Sequence, residues 1–215
     1  MTSARVKPHD RVLVIGKTGS GKSNKAKALV SAELEHGARV LAFDPLDEWS
    51  RHGRKSDHRR LGPLRDRCTV DDLMREPEIL DANDLSLAVV PSQARRECAE
   101  DFVQVAALVK DTGNVLLTVE EVGFFGDRCE ESLIEAACTF RHYGVGMVFV
   151  AQCAIQIPKM ARRQASQIWS GRQDDPEDLS ALAKVAGAEF AEAVSRLPRG
   201  ELLHWRDDFS EGRAK

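Results

Sequence analysis

The sequence predicts an α/β protein built on one mostly parallel β-sheet with helices on both faces. Short apolar runs with the length and β-branched content of buried strands recur along the 215 residues. Segments with helical spacing lie between these runs. Strands that alternate with helices form crossover connections, and such connections place the strands parallel to one another in a single covered sheet.

Five apolar runs bounded by turn residues predict the strands of this sheet. They lie at 12–15, 40–43, 85–90, 115–119 and 146–150. The segments predicted as helices lie at 24–35, 93–110, 130–140 and 178–185. We expect residues 1–206 to form a single domain that contains a basic excursion at 48–69, and residues 207–215 to form a frayed tail.

Composition excludes several classes of protein. Lys and Arg number 31 against 34 Asp and Glu, which gives a net charge of −3, so any contact with nucleic acid must use a local patch. The 5 cysteines include no CxxC pair, which favours free thiols in a reducing compartment over a zinc site or a disulfide framework. No apolar stretch approaches the ~18 residues of a membrane helix, and the N-terminus lacks a signal-peptide core, so a soluble cytoplasmic protein without a transmembrane segment is expected.

A glycine-rich segment directly after the first predicted strand matches GxxxxGK[ST], the pattern of a P-loop. It consists of Gly16, Lys17, Thr18, Gly19, Ser20, Gly21, Lys22 and Ser23. Its glycines allow backbone N–H groups to wrap a triphosphate closely, and the following helix adds positive potential. Lys22 can reach the β and γ oxygens, while Ser23 can bind Mg²⁺. ATP and Mg²⁺ are therefore the expected cofactors.

The predicted strand at 115–119 ends in two carboxylates, Glu120 and Glu121. Side chains at the carboxyl end of a parallel strand emerge at the edge where ligands bind. Glu120 would orient Mg²⁺, largely through water, although P-loop ATPases usually carry Asp at this position, and Glu121 would act as the general base. The alternative is a pair of solvated charges at a strand end.

Two further blocks resemble the FtsK/HerA superfamily of DNA-pumping ATPases. The second strand ends in Asp44-Pro45-Leu46-Asp47-Glu48-Trp49, and the last predicted strand lies within the block from Arg141 to Gln152. With the P-loop and the paired glutamates, the resemblance covers most of residues 11–172. It implies a RecA-like P-loop NTPase fold and ATP-driven translocation of double-stranded DNA. The short chain resembles in particular the genome-packaging ATPases of tailless icosahedral viruses with an internal membrane.

The resemblance also implies roles for two residues of the Arg141 to Gln152 block. Gln152 would sense the nucleotide through its amide, which can donate to a phosphate oxygen and accept from the attacking water. Arg141 would act as an arginine finger in a neighbouring subunit, which requires a homo-oligomeric ring, expected to be a hexamer. Arg162, Arg163 and Arg172 compete for the finger role. An amide that caps the next loop and an arginine on the surface are the structural alternatives.

Two basic patches could contact the DNA backbone without reading its sequence. One follows Gln152 and contains Lys159, Arg162 and Arg163, where a ring would multiply it around a central channel. The other is the excursion at 48–69 with its arginines. The resemblance places such a protein in the host cytoplasm, with capsid vertex proteins as further partners.

Three functions remain open from the sequence. The first is a motor ATPase that pumps a double-stranded viral genome into a preformed capsid. The second is a small nucleoside or nucleotide kinase, in which the basic excursion would serve as a lid. The third is a nucleotide-dependent assembly switch that does not hydrolyse ATP.

Overall fold

An eight-stranded sheet forms the centre of the computed structural model, which describes residues 6–52, 62–92 and 98–207. Its strand order is β3-β4-β2-β5-β6-β1-β7-β8. The strands are β1 (Arg11–Ile15), β2 (Val40–Phe43), β3 (Asp66–Thr69), β4 (Ser86–Val90), β5 (Leu116–Val119), β6 (Gly146–Ala151), β7 (Gln167–Ser170) and β8 (Leu203–Arg206). Every strand pairing is parallel except that of β7 with β8. The predicted α/β class with a mostly parallel sheet is confirmed.

The helices cover both faces of the sheet. They are α1 (Lys22–Glu35), α2 (Val70–Arg75), α3 (Cys98–Thr112), α4 (Glu130–Thr139), α5 (Lys159–Arg162), α6 (Pro176–Ala186) and α7 (Ala188–Ser195). Alternate residues of β1 enter two separate apolar clusters: Val12 and Val14 join the cluster that contains Val30 of α1, while Leu13 and Ile15 join the cluster of the opposite face. A strand buried on both sides reads as an unbroken apolar run, which is why its sequence identified it.

The five predicted strands are confirmed, but three strands are additional. β3 carries exposed polar residues, because it is an edge strand. β7 has a buried Gln167, which the sequence pattern alone does not distinguish from a turn residue. β8 is the other edge and is only half-buried. The four predicted helices correspond to α1, α3, α4 and α6, although residues 93–97 of the second lie outside the described ranges.

The basic excursion is better anchored than its composition suggested. Trp49 and Leu64 are fully buried, and Ser50 pairs with Leu64 in a parallel bridge. The Arg67 guanidinium donates to Asp47, with Nε 2.6 Å from Oδ1, so this arginine is held within the fold. The described part of the excursion is therefore fixed to the fold by Trp49, Leu64 and Arg67. Residues 53–61, with four of the seven basic residues of the patch, lie outside the described ranges, as do 208–215 of the tail.

All five cysteines are free thiols, as the sequence predicted. Within the described ranges, no helix is long and apolar enough to span a bilayer.

Candidate active site

The P-loop bends between β1 and α1 through glycine conformations that side chains rarely adopt. Gly19 and Gly21 have φ angles of 82° and 87°. At Gly16 a Cβ atom would lie 2.2 Å from Oγ of Ser20, so no larger residue fits there. The glycines predicted to let the loop wrap closely are thus required by its backbone.

The N-terminus of α1 lacks the groups that normally stabilise a helix start. Gly21 provides no side-chain cap, and the first turn contains no acidic residue. Instead Lys22 places a positive charge at the positive end of a 14-residue helix. Such an end is unfavourable by itself, and it suits a bound anion such as a phosphate group.

The two carboxylates after β5 lie against this helix end. Oε1 of Glu120 accepts a hydrogen bond from Oγ of Ser23 at 3.2 Å. Oε1 of Glu121 lies 3.1 Å from Nζ of Lys22 in a buried ion pair. Glu121 adopts a left-handed backbone conformation, with φ 48°, which costs of order 1 kcal/mol for a residue with a side chain. The fold therefore brings the predicted acidic pair to the P-loop in a strained turn of the kind found at functional sites.

Burial and neighbouring carboxylates make this end of β5 a place for a cation. Desolvation raises the pKa of Glu120 to about 7, and the charges of Glu121 and Asp44 add to the effect. Desolvation also raises the pKa of Asp44 to about 6, against the backbone N–H groups that donate to it. A divalent ion would relieve this crowding of negative charge.

The donors fit Mg²⁺ bound together with a nucleotide. Among the described residues, no cluster of three or more His, Cys, Asp or Glu side chains could hold a metal alone. Mg²⁺ is typically bound through one or two protein oxygens together with phosphate oxygens and water. Oγ of Ser23 and the carboxylate of Glu120 could supply these protein oxygens.

Gln152 lies beside Glu121 at the end of β6. Its Nε2 donates to Oε2 of Glu121 at 3.3 Å, and its backbone carbonyl accepts from Nε2 of Gln173 at 3.2 Å. Its backbone N–H donates to Oε1 of Gln156 at 3.0 Å. The Gln156 amide occupies the space where a Cβ of Gly123 would lie, which holds the turn after β5 against the turn after β6. Gln156 and Gln173 were not predicted, because isolated glutamines carry no motif.

Arg199, which the sequence did not mark as a site residue, lies over the P-loop. A Cβ atom at Gly19 would lie 3.5 Å from Nη2 of Arg199, and one at Gly21 would lie 4.0 Å from the carbonyl oxygen of Gly200. Arg199 is exposed in the turn before β8. No sequence motif marks this residue, because the antiparallel pairing of β8 with β7 is what returns the chain to the P-loop.

Arg141 lies at the opposite edge of the sheet from the P-loop. It is exposed in the 3₁₀ turn Phe140–Tyr143, before the N-terminal end of β6. A strand of 6 residues spans about 20 Å, so Arg141 cannot reach the P-loop of its own chain. A buried arginine at the start of β1 braces this turn: Arg11 donates through Nε to the Ala137 carbonyl at 2.7 Å and through Nη1 to that of Val145 at 3.0 Å.

The other predicted cations differ in exposure. Lys159 and Arg163 are exposed on and after α5, whereas Nη1 of Arg162 donates to the Ala154 carbonyl at 2.8 Å. Burial lowers the pKa of Arg162, in keeping with a half-buried guanidinium. Arg172 is exposed after β7, at the same sheet edge as the P-loop. The structure thus leaves Lys159 and Arg163 as the more accessible members of the predicted patch.

Comparison with known proteins identifies a family to which this chain is similar. The family model of the central domain of helicase HerA matches residues 8–123, a range that contains the P-loop and both glutamates. No curated protein sequence matches the chain.

Solved structures share the fold at low sequence identity. The genome packaging NTPase B204 from Sulfolobus turreted icosahedral virus 2, in complex with AMPPCP, superposes with a TM-score of 0.67 at 21% identity, covering 93% of each chain. The bacterial conjugative coupling protein TrwB superposes with a TM-score of 0.61 at 11% identity, covering 94% of this chain and 83% of that one. These likenesses confirm the predicted fold.

Proposed function

Because the chain belongs to the HerA central-domain family, within the P-loop ATPases of the FtsK/HerA type, we propose that it hydrolyses ATP to move double-stranded DNA. The finer proposal is a packaging motor that pumps a viral genome into a preformed capsid. The observation that carries it is the meeting of two sets of side chains within hydrogen-bonding distance. Lys22 and Ser23 come from the start of α1, while Glu120 and Glu121 come from the end of β5.

The P-loop residues 16–23 would bind the phosphates of ATP. The Lys22 ammonium group would leave its ion pair with Glu121 and bind the β and γ oxygens instead, since a triphosphate carries more negative charge than one carboxylate. Arg199 lies over the same loop and would add a second positive charge from within the subunit. Ser23 and Glu120 would hold Mg²⁺, which would supply neutralising charge at the β and γ oxygens.

Hydrolysis would begin once Lys22 leaves Glu121. The freed carboxylate would accept a proton from the attacking water as general base. Gln152, whose amide already lies 3.3 Å from Glu121, would orient that water and respond to the presence of the γ-phosphate. Arg141 would stabilise the developing charge on the phosphate of a neighbouring subunit, because its own P-loop lies about 20 Å away.

DNA contact would come from a ring of identical subunits. Lys159 and Arg163 of each subunit, with a smaller share from the half-buried Arg162, would face phosphates of the duplex. A ring, proposed to be a hexamer, multiplies a patch that is weak in a chain of net charge −3. A role in DNA movement is supported by two structural neighbours, the genome packaging NTPase B204 and the conjugative coupling protein TrwB. We place the protein in the host cytoplasm, with attachment to the capsid vertex during packaging.

Measurement of phosphate release with and without duplex DNA tests this function. We expect slow ATP hydrolysis alone and faster hydrolysis with DNA, and we expect added salt to reduce the stimulation because backbone contacts are electrostatic. Glu121→Gln serves as the inactive control. Transfer of phosphate to an added nucleoside or nucleotide would instead indicate a kinase, and nucleotide binding without turnover would indicate an assembly switch. Either result would overturn the proposed motor function.

A further inference from the structure

We propose that Trp49 is a positioning residue that fixes the Glu120 carboxylate in the orientation required to hold Mg²⁺. Nε1 of Trp49 donates a hydrogen bond to Oε2 of Glu120 at 3.1 Å, and this bond holds the carboxylate. The proposal rests on the proposed function, because it assumes that Glu120 holds the metal.

The two oxygens of Glu120 have different partners. Oε1 faces Ser23 of α1 and Oε2 faces the indole of Trp49. Trp49 has 0% and Glu120 has 2% of its surface exposed, so water does not compete for this bond. A hydrogen bond to a buried carboxylate is stronger than one between neutral groups and fixes the plane of the acceptor.

The turn after β2 holds Trp49 in place. Oδ2 of Asp44 accepts from the backbone N–H groups of both Glu48 and Trp49 at 2.7 Å. Asp47, which lies between Asp44 and Glu48 in this turn, adopts a left-handed conformation with φ 56°. The backbone of Trp49 also lies so close to Gly62 that a Cβ there would be 1.9 Å from the Trp49 carbonyl oxygen.

The chemistry of the indole suits this role. The Nε1–H group can donate but cannot accept, so it binds Oε2 and leaves Oε1 available toward Ser23. Mg²⁺ requires nearly ideal octahedral geometry, so rotation of a carboxylate that holds the ion, directly or through a bound water, is costly. Residues that hydrogen-bond to metal ligands commonly change metal affinity or activity by about 10- to 100-fold when removed.

Nucleotide binding with and without Mg²⁺ tests the role apart from catalysis. Calorimetric titration with ADP in EDTA should give the same affinity for the wild type and Trp49→Phe, which keeps an aromatic ring but has no N–H. With Mg²⁺ present, the wild type should bind ADP more tightly, and Trp49→Phe should lose about tenfold or more of this gain. Trp205→Phe, a change in half-buried β8, is the matched control and should keep the full gain.

Indole N–H signals in ¹⁵N NMR spectra test the hydrogen bond itself. The signal lost in Trp49→Phe belongs to Trp49, and Glu120→Gln should shift it upfield because a neutral amide is a weaker acceptor. If Trp49→Phe does not fold, Trp169→Phe and Trp205→Phe assign the signal by elimination. A Trp49 signal unaffected by Glu120→Gln would overturn the proposal.

The two failures are distinguishable. Equal Mg²⁺-dependent gains in the wild type and Trp49→Phe would overturn the role of Trp49 alone. A wild type that binds ADP no better with Mg²⁺ would overturn the metal-binding part of the proposed function, and the role of Trp49 with it.

Discussion

Nζ of Lys22 lies 3.1 Å from Oε1 of Glu121 in an ion pair whose side chains are 8% and 6% exposed. The pair joins the two elements of the candidate site, because Lys22 begins α1 and Glu121 follows β5. A phosphate group on the P-loop would compete for the same ammonium group. In the proposed function, Lys22 would thereby couple nucleotide binding to release of the general base.

We predict that Lys22→Ala weakens ATP binding by at least about tenfold, which corresponds to about 1.4 kcal/mol. The variant should also unfold at a lower temperature than the wild type, because it leaves the buried Glu121 without its cationic partner. Calorimetric titration and thermal unfolding measure the two effects. Lys184→Ala, an exposed change on α6, should alter neither. Unchanged ATP affinity in Lys22→Ala would exclude the assigned role.

We predict that Glu121→Gln retains ATP binding and loses hydrolysis by about 10²-fold or more, because an amide cannot accept the proton of the attacking water. Binding and phosphate release should be measured on the same preparation. The amide still fits the left-handed turn, so the circular dichroism spectrum should match that of the wild type. Full turnover by Glu121→Gln would assign the base to another residue.

The parts of the site that the sequence predicted are those in which one short segment contains the whole signal. The P-loop needs its glycines at fixed spacing, and β5 needs an apolar run before Glu120, so both could be read from local pattern. Arg199 and Trp49 belong to the site only because distant segments fold back onto it. Their contacts, with Gly19 and with Glu120, depend on sheet order, which local pattern does not specify.

The same limit applies to the strands. β1, β2 and β5 are buried on both faces and appear as continuous apolar runs, whereas β3 and β8 are edge strands with polar sequences. An edge strand satisfies one side of its backbone with solvent and needs few apolar residues. An edge strand forms because the neighbouring strand offers backbone hydrogen bonds, so its own composition does not predict it.

We predict that Arg141→Ala subunits mixed with Glu121→Gln subunits recover part of the ATPase activity that each lacks alone. An intact P-loop with Glu121 in one subunit would then face an intact Arg141 in the next. Activity should be measured across mixing ratios with DNA present, since a finger in trans acts only between assembled subunits. Arg11 braces the turn that carries Arg141, so Arg141→Ala leaves that support in place. Zero recovery at every ratio would contradict a finger in trans at this position.

We predict that Arg199→Ala weakens ATP binding about three- to tenfold, because its guanidinium lies over the phosphate-binding loop. Arg199→Lys should recover part of the affinity, since it restores the charge but not the planar fork. Arg196→Ala is the control, because Arg196 lies three positions earlier and its guanidinium pairs with Glu192 on α7. Equal affinities in Arg199→Ala and Arg196→Ala would show that Arg199 does not contact the nucleotide.

We predict that His204 makes the fold less stable in mild acid. Its ring stacks on Trp169 at 3.9 Å, and burial, together with the charges of Lys25 and Arg206, lowers its pKa. Below the ordinary histidine pKa of about 6.5, the unfolded chain takes up a proton that the folded chain resists. The stability from this group is therefore present above about pH 6.5 and is lost as the pH falls through the lowered pKa.

His204→Phe keeps a ring against Trp169 and removes the titration. Urea unfolding from about pH 8 to about pH 5.5 should show a smaller loss of stability in this variant than in the wild type. The comparison uses the pH-dependent difference between the two proteins, so a constant change caused by the new ring cancels. Parallel stability curves for the two proteins over this range would contradict the assignment, because the lost stability would then come from other groups.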